Sequence, residues 1–164
     1  MPSTKMMFFA LFCLAVASIV CDATVVPTIP GPGSTKTDLS SAVNSTCQKC
    51  VNALGSGGYS NLISIVLDIK ASINLWLSGL PSTIDLAVLL QIIILLVIYL
   101  AGCINIVIGG VNIAVSLGNL YNTCKTGFDL IVAASVLVNL SVYVQALLTI
   151  CLNLKANLLL ALGL

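Results

Sequence analysis

Histidine, arginine and glutamate are absent from this sequence, whose charges are six lysines and five aspartates spread over 164 residues. Without histidine the chain lacks the commonest general base and the commonest metal ligand. With no arginine and a net charge of +1, it lacks the basic patch that a nucleic-acid partner requires. Asp68 and Lys70 are close in sequence, but residues two apart do not face each other on a helix. No pair of carboxylates is spaced for acid–base work. Serines are plentiful, yet none has an evident base to activate it. Gly55-Ser56-Gly57-Gly58 lacks the preceding strand and following lysine of a phosphate loop. These absences predict a protein that is not an enzyme and uses no catalytic residue, cofactor, metal or nucleic acid.

What is present is apolar. Hydrophobic residues make up 59% and charged residues 7%, with a mean hydropathy of +1.17. Soluble domains carry about 25% charge and about 45–50% apolar residues, and disorder requires low hydrophobicity. The length suits one domain. A membrane or another apolar boundary is the natural setting.

The first residues read as a leader. Lys5 precedes a short apolar run, Met6 to Val20, and two small-x-small cleavage patterns follow. The pattern ending at Ala23 predicts a signal peptide over 1–23, with cleavage after Ala17 as the alternative. The run is shorter than the roughly 20 residues a membrane span needs. Residues 24–37, TVVPTIPGPGSTKT, form a Pro/Thr/Gly stretch expected to be an extended linker.

From Asp38 to Leu164 the periodicity is helical, which predicts an all-α domain: a bundle of four to five apolar helices. Leu39, Val43, Cys47, Cys50, Val51 and Leu54 share one face of a first helix, capped by Asp38, Ser40 or Ser41 and ended by Gly55 to Gly58. A second helix runs from about Ser60 to Ser78 and stops at Gly79-Leu80-Pro81. Ser82 and Asp85 then resemble a capping box, and a third helix reaches Ile108 before Gly109-Gly110. A fourth ends near Cys124, with Thr126-Gly127 as the last punctuation, and a very long fifth covers Phe128 to Leu162. The uncharged runs Leu86 to Cys124 and Leu130 to Leu154 are each long enough to cross a bilayer.

Inside these runs lies an inverted heptad. Gly102, Asn105, Gly109, Asn112, Ser116, Asn119, Thr123 and Thr126 alternate spacings of three and four, so a small polar stripe lies within apolar surroundings. Shorter versions are Asn61, Ser64, Asp68 and Ser72, then Ser135, Asn139, Ala146, Thr149, Asn153 and Ala156. Such a stripe can be a packing seam in a bilayer, the wetted edge of an interfacial helix, or the solvent face of a bundle. The implied partners are a second copy of the chain or an apolar interface, lipid included.

Cleavage after Ala23 leaves five cysteines, Cys47, Cys50, Cys103, Cys124 and Cys151; cleavage after Ala17 keeps Cys21 as a sixth. The secretory route is oxidising, so these are disulfide candidates, with the pairing open. Cys47-Gln48-Lys49-Cys50 lacks the βαβ setting of a redox motif and the second ligand pair of a zinc site. Its expected role is to bridge the first helix to later ones. Two sequons occur, Asn44-Ser45-Thr46 and Asn139-Leu140-Ser141. Asn44 is the glycosylation candidate; Asn139 falls inside the long last helix and is expected to stay bare.

A leader, a Pro/Thr linker, Cys47 and Cys50 opening the helical part and a nearly continuous hydrophobic remainder resemble the small secreted hydrophobic proteins of basidiomycete fungi. These include cell-wall proteins of aerial hyphae. The pattern is not that of hydrophobins, which carry eight cysteines with adjacent pairs. The resemblance implies a wall-associated structural protein that lowers surface tension or mediates adhesion, and it carries no functional residues over. The expectation is thus a secreted, surface-active protein of a cell wall or extracellular surface, acting by self-assembly, coating or adhesion. A small multi-pass membrane protein and a lipid carrier are the alternatives.

Overall fold

A computed structural model describes residues 24–137 and 139–164. The leader, its cleavage sites, Cys13 and Cys21 lie outside the described residues. Among the described residues five helices follow one another: α1 (Lys36–Ser56), α2 (Ile63–Ser78), α3 (Leu86–Gly109), α4 (Ile113–Ala134) and α5 (Leu140–Ala161). A single 3₁₀ turn, Ser60–Leu62, leads into α2. Among the described residues there is no strand, so the all-α expectation holds.

The helix ends follow local chemistry. Thr35 and Asp38 form a reciprocal capping box at α1: the Asp38 amide donates to Thr35 Oγ1 (3.2 Å) and the Thr35 amide to Asp38 Oδ2 (2.8 Å). Helix α1 therefore starts at Lys36, two residues before the expected start, and Thr35 is its cap. At α3 the cap is Asp85 itself, whose Oδ1 accepts the Ala87 amide at 2.9 Å, in place of a Ser82–Asp85 box. Gly110, at φ 73°, closes α3 in the left-handed conformation that glycine adopts without penalty.

Two expected boundaries are corrected. Thr126-Gly127 does not end a helix, because Gly127 is buried inside α4 and the Thr126 hydroxyl donates back to the Asn122 carbonyl at 3.0 Å. The long last helix is instead cut at 135–139. Ser135 turns extended there (ψ 145°), and its hydroxyl accepts the Leu137 amide at 3.1 Å. A hydroxyl that satisfies the backbone locally competes with helix continuation.

The helices close into a ring. α1 packs on α2 and α3, α4 on α3 and α5, and α5 returns to α2. Every residue from Leu95 to Ile104 is buried, so the most apolar stretch of the chain is the wall that the others cover. At Gly102 the fit is closest: an added Cβ would stand 2.7 Å from Leu120 Cδ2, and this missing side chain lets α3 and α4 approach. Two ring groups tie α5 inward, the Tyr99 hydroxyl donating to the Cys151 carbonyl (2.7 Å) and Trp76 Nε1 to the Tyr143 carbonyl (2.8 Å).

Residues 24–34 have no regular secondary structure, and they are docked. Val25 is buried. Its amide donates to Asn105 Oδ1 (2.8 Å) and its carbonyl accepts from Asn105 Nδ2 (2.9 Å). The Thr28 amide donates to Thr46 Oγ1 (3.0 Å), and Lys49 Nζ to the Val26 carbonyl (3.1 Å). The segment is a strap across α1 and α3. Asn105→Ala leaves the Val25 amide and carbonyl without these partners, an expected cost of about 1–3 kcal/mol. Hydrogen exchange should then speed at Val25 while the amides of α3 stay protected; unchanged exchange at Val25 would remove the strap from the account.

The disulfide expectation is corrected. No two of Cys47, Cys50, Cys103, Cys124 and Cys151 are bonded, and all five are buried. Their spacings turn them to the inner faces of α1, α3, α4 and α5, where they pack as small apolar side chains.

Candidate interaction surface

With the apolar faces of the ring turned inward, the small polar stripes fall outside. Asn61 in the 3₁₀ turn and Ser64, Asp68 and Ser72 on α2 are exposed, as are Asn119 and Thr126 on α4. In the long stripe Gly102 packs against Leu120 and Asn105 bonds Val25, while Ser116 and Thr123 are half-buried. Gly102 sits at the α3–α4 contact; the exposed members do not form seams between the helices. Asn112 leaves the helical register at φ 48°, so the heptad spans two helices that point differently.

The outer face of α5 combines a polar ridge with exposed apolar residues. Ser141, Gln145, Thr149, Asn153 and Asn157 stand four residues apart and are exposed, forming one uncharged polar ridge. Val142, Ala146, Leu152, Ala156 and Leu160 are exposed beside it, with Val142 at 65% and Leu160 at 79%. The helix carries one charge, Lys155, whose ammonium folds inward to 5.4 Å from the Tyr121 ring centre, a cation–π position. Over its length of about 33 Å at 1.5 Å per residue, the helix itself contributes no other charge to this face.

Hydropathy separates α5 from α3. Both helices are long and apolar enough to cross a membrane, with mean hydropathies of 1.6 and 2.8 over their best windows. The α3 window is 72% buried inside the molecule, whereas the α5 window is 33% buried. An apolar core helix that is covered needs no further explanation. On α5 the exposed residues include Val142, Leu152 and Leu160, apolar side chains that stand beside the uncharged polar ridge. At the N-terminal end of α5 a shallow cleft of about 340 Å³ runs between Asp129, Val132, Ser141, Val142, Val144 and Gln145.

No family model, curated protein or solved structure matches this chain.

The sequence-predicted site residues divide as follows. Cys47 and Cys50 lie on the buried face of α1, and the Cys50 thiol points to the Leu100 carbonyl at 3.8 Å. Burial pushes the Cys47 thiol up to about 11, partly opposed by the Lys70 charge. Burial likewise drives the Cys50, Cys103 and Cys151 thiols and the Tyr99 hydroxyl well above their ordinary values. Protonated thiols in an apolar core are poor nucleophiles. Asn44 sits half-buried at the α1–α2 contact, where its Oδ1 accepts from Asn74 Nδ2 at 2.8 Å, and Ser40 donates to Asn74 Oδ1 at the same distance. Asn139 lies exposed, just outside α5 as its N-terminal flanking residue. Sequence periodicity located Ala146, Thr149, Asn153 and Ala156 but missed the apolar row beside them, because Val142 and Leu160 are indistinguishable from core residues by type.

Proposed function

We propose that this is a secreted surface or structural protein that coats or adheres to an extracellular apolar boundary, a cell wall included, with the outer face of α5 as its contact surface. The observation that carries the proposal is the mismatch on α5: a helix apolar enough to span a bilayer, yet one-third buried. Helices that lie in an interface bury such a face alongside a wet edge. The uncharged Ser141-to-Asn157 ridge beside Val142 and Leu160 supplies both. Lack of cations on the face disfavours anionic lipid headgroups, which attract Lys-rich and Arg-rich helices. Self-association through the same face is the first step of coating.

A second reading, a small membrane protein, draws on α3 and α5 as candidate spans. It meets an obstacle in α1, which packs against α3 and exposes Gln48, Lys49 and Asn52. Spanning by α3 would carry these polar groups into hydrocarbon, where they are costly. A lipid carrier would need the same α3 and α5 faces to enclose a ligand.

Fractionation of the expressed full chain decides between these readings. The expected result is detergent-free protein in the culture medium or wall extract that lowers the surface tension of water. Recovery only with integral membranes after a carbonate wash would reject it.

A further inference from the structure

The two sequons are housed very differently by the fold. Asn44 belongs to the middle of α1, half-buried, with its carbonyl engaged by Asn74 across the α1–α2 contact. Its third sequon residue, Thr46, is completely buried, and Thr46 Oγ1 accepts the Thr28 amide of the strap. A sugar chain at Asn44 would have to leave from a packed helix contact. Asn139 stands instead in the irregular connection between α4 and α5, outside the helical hydrogen-bond ladder. Asn139, Ser141 and Val142 are all exposed, and Val136 in the same connection is 95% exposed. An exposed connection is where an Asn-x-Ser acceptor can carry a glycan without displacing protein.

We propose that Asn139 is a glycosylation site of this protein, taking an N-linked glycan. The proposal rests on the secretory reading above, since the sugar donor is met only in the secretory lumen. The bond formed joins Asn139 Nδ2 to the anomeric carbon of a lipid-linked oligosaccharide. The anomeric carbon–oxygen bond to the lipid pyrophosphate breaks, the pyrophosphate leaves with the electron pair, and the amide nitrogen loses one proton. A glycan on Asn44 would displace its contact with Asn74 and crowd the strap bond at Thr46, so the fold disfavours that site.

The test expresses the full chain in a eukaryotic secretory host, with an Asn-Gly-Thr acceptor appended after the exposed Leu164 as a reporter of lumenal entry. The expected result is glycan on both the reporter and Asn139, each removed by peptide N-glycosidase. Asn139→Gln and Ser141→Ala should remove one glycan, Ser141→Thr should keep it, and Asn44→Gln should change nothing. A modified reporter with a bare Asn139, or a glycan that Asn44→Gln removes and Asn139→Gln does not, overturns the site and leaves secretion standing. A bare reporter together with a bare Asn139 rejects the secretory reading and the site with it. Far-UV circular dichroism of Asn139→Gln, a change at an exposed position, checks that the variant folds.

Discussion

Alkaline pH is expected to unfold this protein, beginning above about pH 9, through its buried thiols. In the unfolded chain a cysteine loses its proton around the ordinary value of 9.0, whereas burial holds the Cys47 proton to about 11. Between these values the folded state binds more protons than the unfolded state, so stability falls as pH rises. Below the lower value both states are protonated and the contribution is complete. Each thiol contributes a slope of up to about 1.4 kcal/mol per pH unit, so Cys47 alone removes roughly 3 kcal/mol across its window. Cys50, Cys103 and Cys151 are shifted in the same direction, and the four slopes act together. Against a domain stability of about 5–15 kcal/mol, the sum is enough for loss of structure. Denaturant titrations at stepped pH, followed by far-UV circular dichroism, measure it, and Cys47→Ala should flatten the slope by about one thiol's worth. A stability unchanged up to about pH 11 would contradict the burial of these thiols.

The same thiols show where sequence reading stops. Their positions on one helical face were legible, and the face proved to be the buried one. Their pairing was not, because the leader-like first residues led to an expectation of disulfides, while the packing treats the sulfurs as apolar volume. Helix limits were legible wherever backbone freedom set them, as at Gly57-Gly58, at Gly79 to Pro81 and at Gly109-Gly110. They were misplaced where a side chain set them. Thr126-Gly127 looks like a stop, but the Thr126 hydroxyl is absorbed by the Asn122 carbonyl. The sequence between Ala134 and Leu140 contains neither glycine nor proline, and the break there is marked by the Ser135 hydroxyl accepting the Leu137 amide. The strap was read as a linker because its partner, Asn105, is 80 residues away from Val25. The stripes were visible as pattern, but their direction was not. Whether a small polar row faces a neighbouring helix or water depends on where the larger apolar rows find partners, which is a property of the closed ring.

The second large effect is expected on the α5 face, where Val142→Lys combined with Leu160→Lys should abolish surface adsorption while leaving the fold intact. Both residues are exposed, at 65% and 79%, so lysine there displaces no core contact, and surface substitutions of this kind usually change stability by about 0.5 kcal/mol or less. At an apolar boundary the balance reverses. Burying a valine or leucine side chain contributes about 1.5–3 kcal/mol, and the pair would forfeit roughly 3–6 kcal/mol of adsorption free energy, a fall of two to four orders of magnitude in affinity. Surface tension against concentration reads this directly, with the thermal midpoint as the control for folding. Leu148→Lys, on the buried side of the same helix, should do the opposite: it places an unpaired charge in the core and unfolds the protein before adsorption can be assessed. Equal loss of adsorption from two lysines on the exposed face of α2, at Leu67 and Leu75, would show that apolar exposure in general, and not the uncharged face of α5, holds the protein at the boundary. The distinction rests on charge. α2 carries Asp68 and Lys70 on or beside its outer face, and these keep it hydrated, whereas α5 has only Lys155, drawn inward over Tyr121.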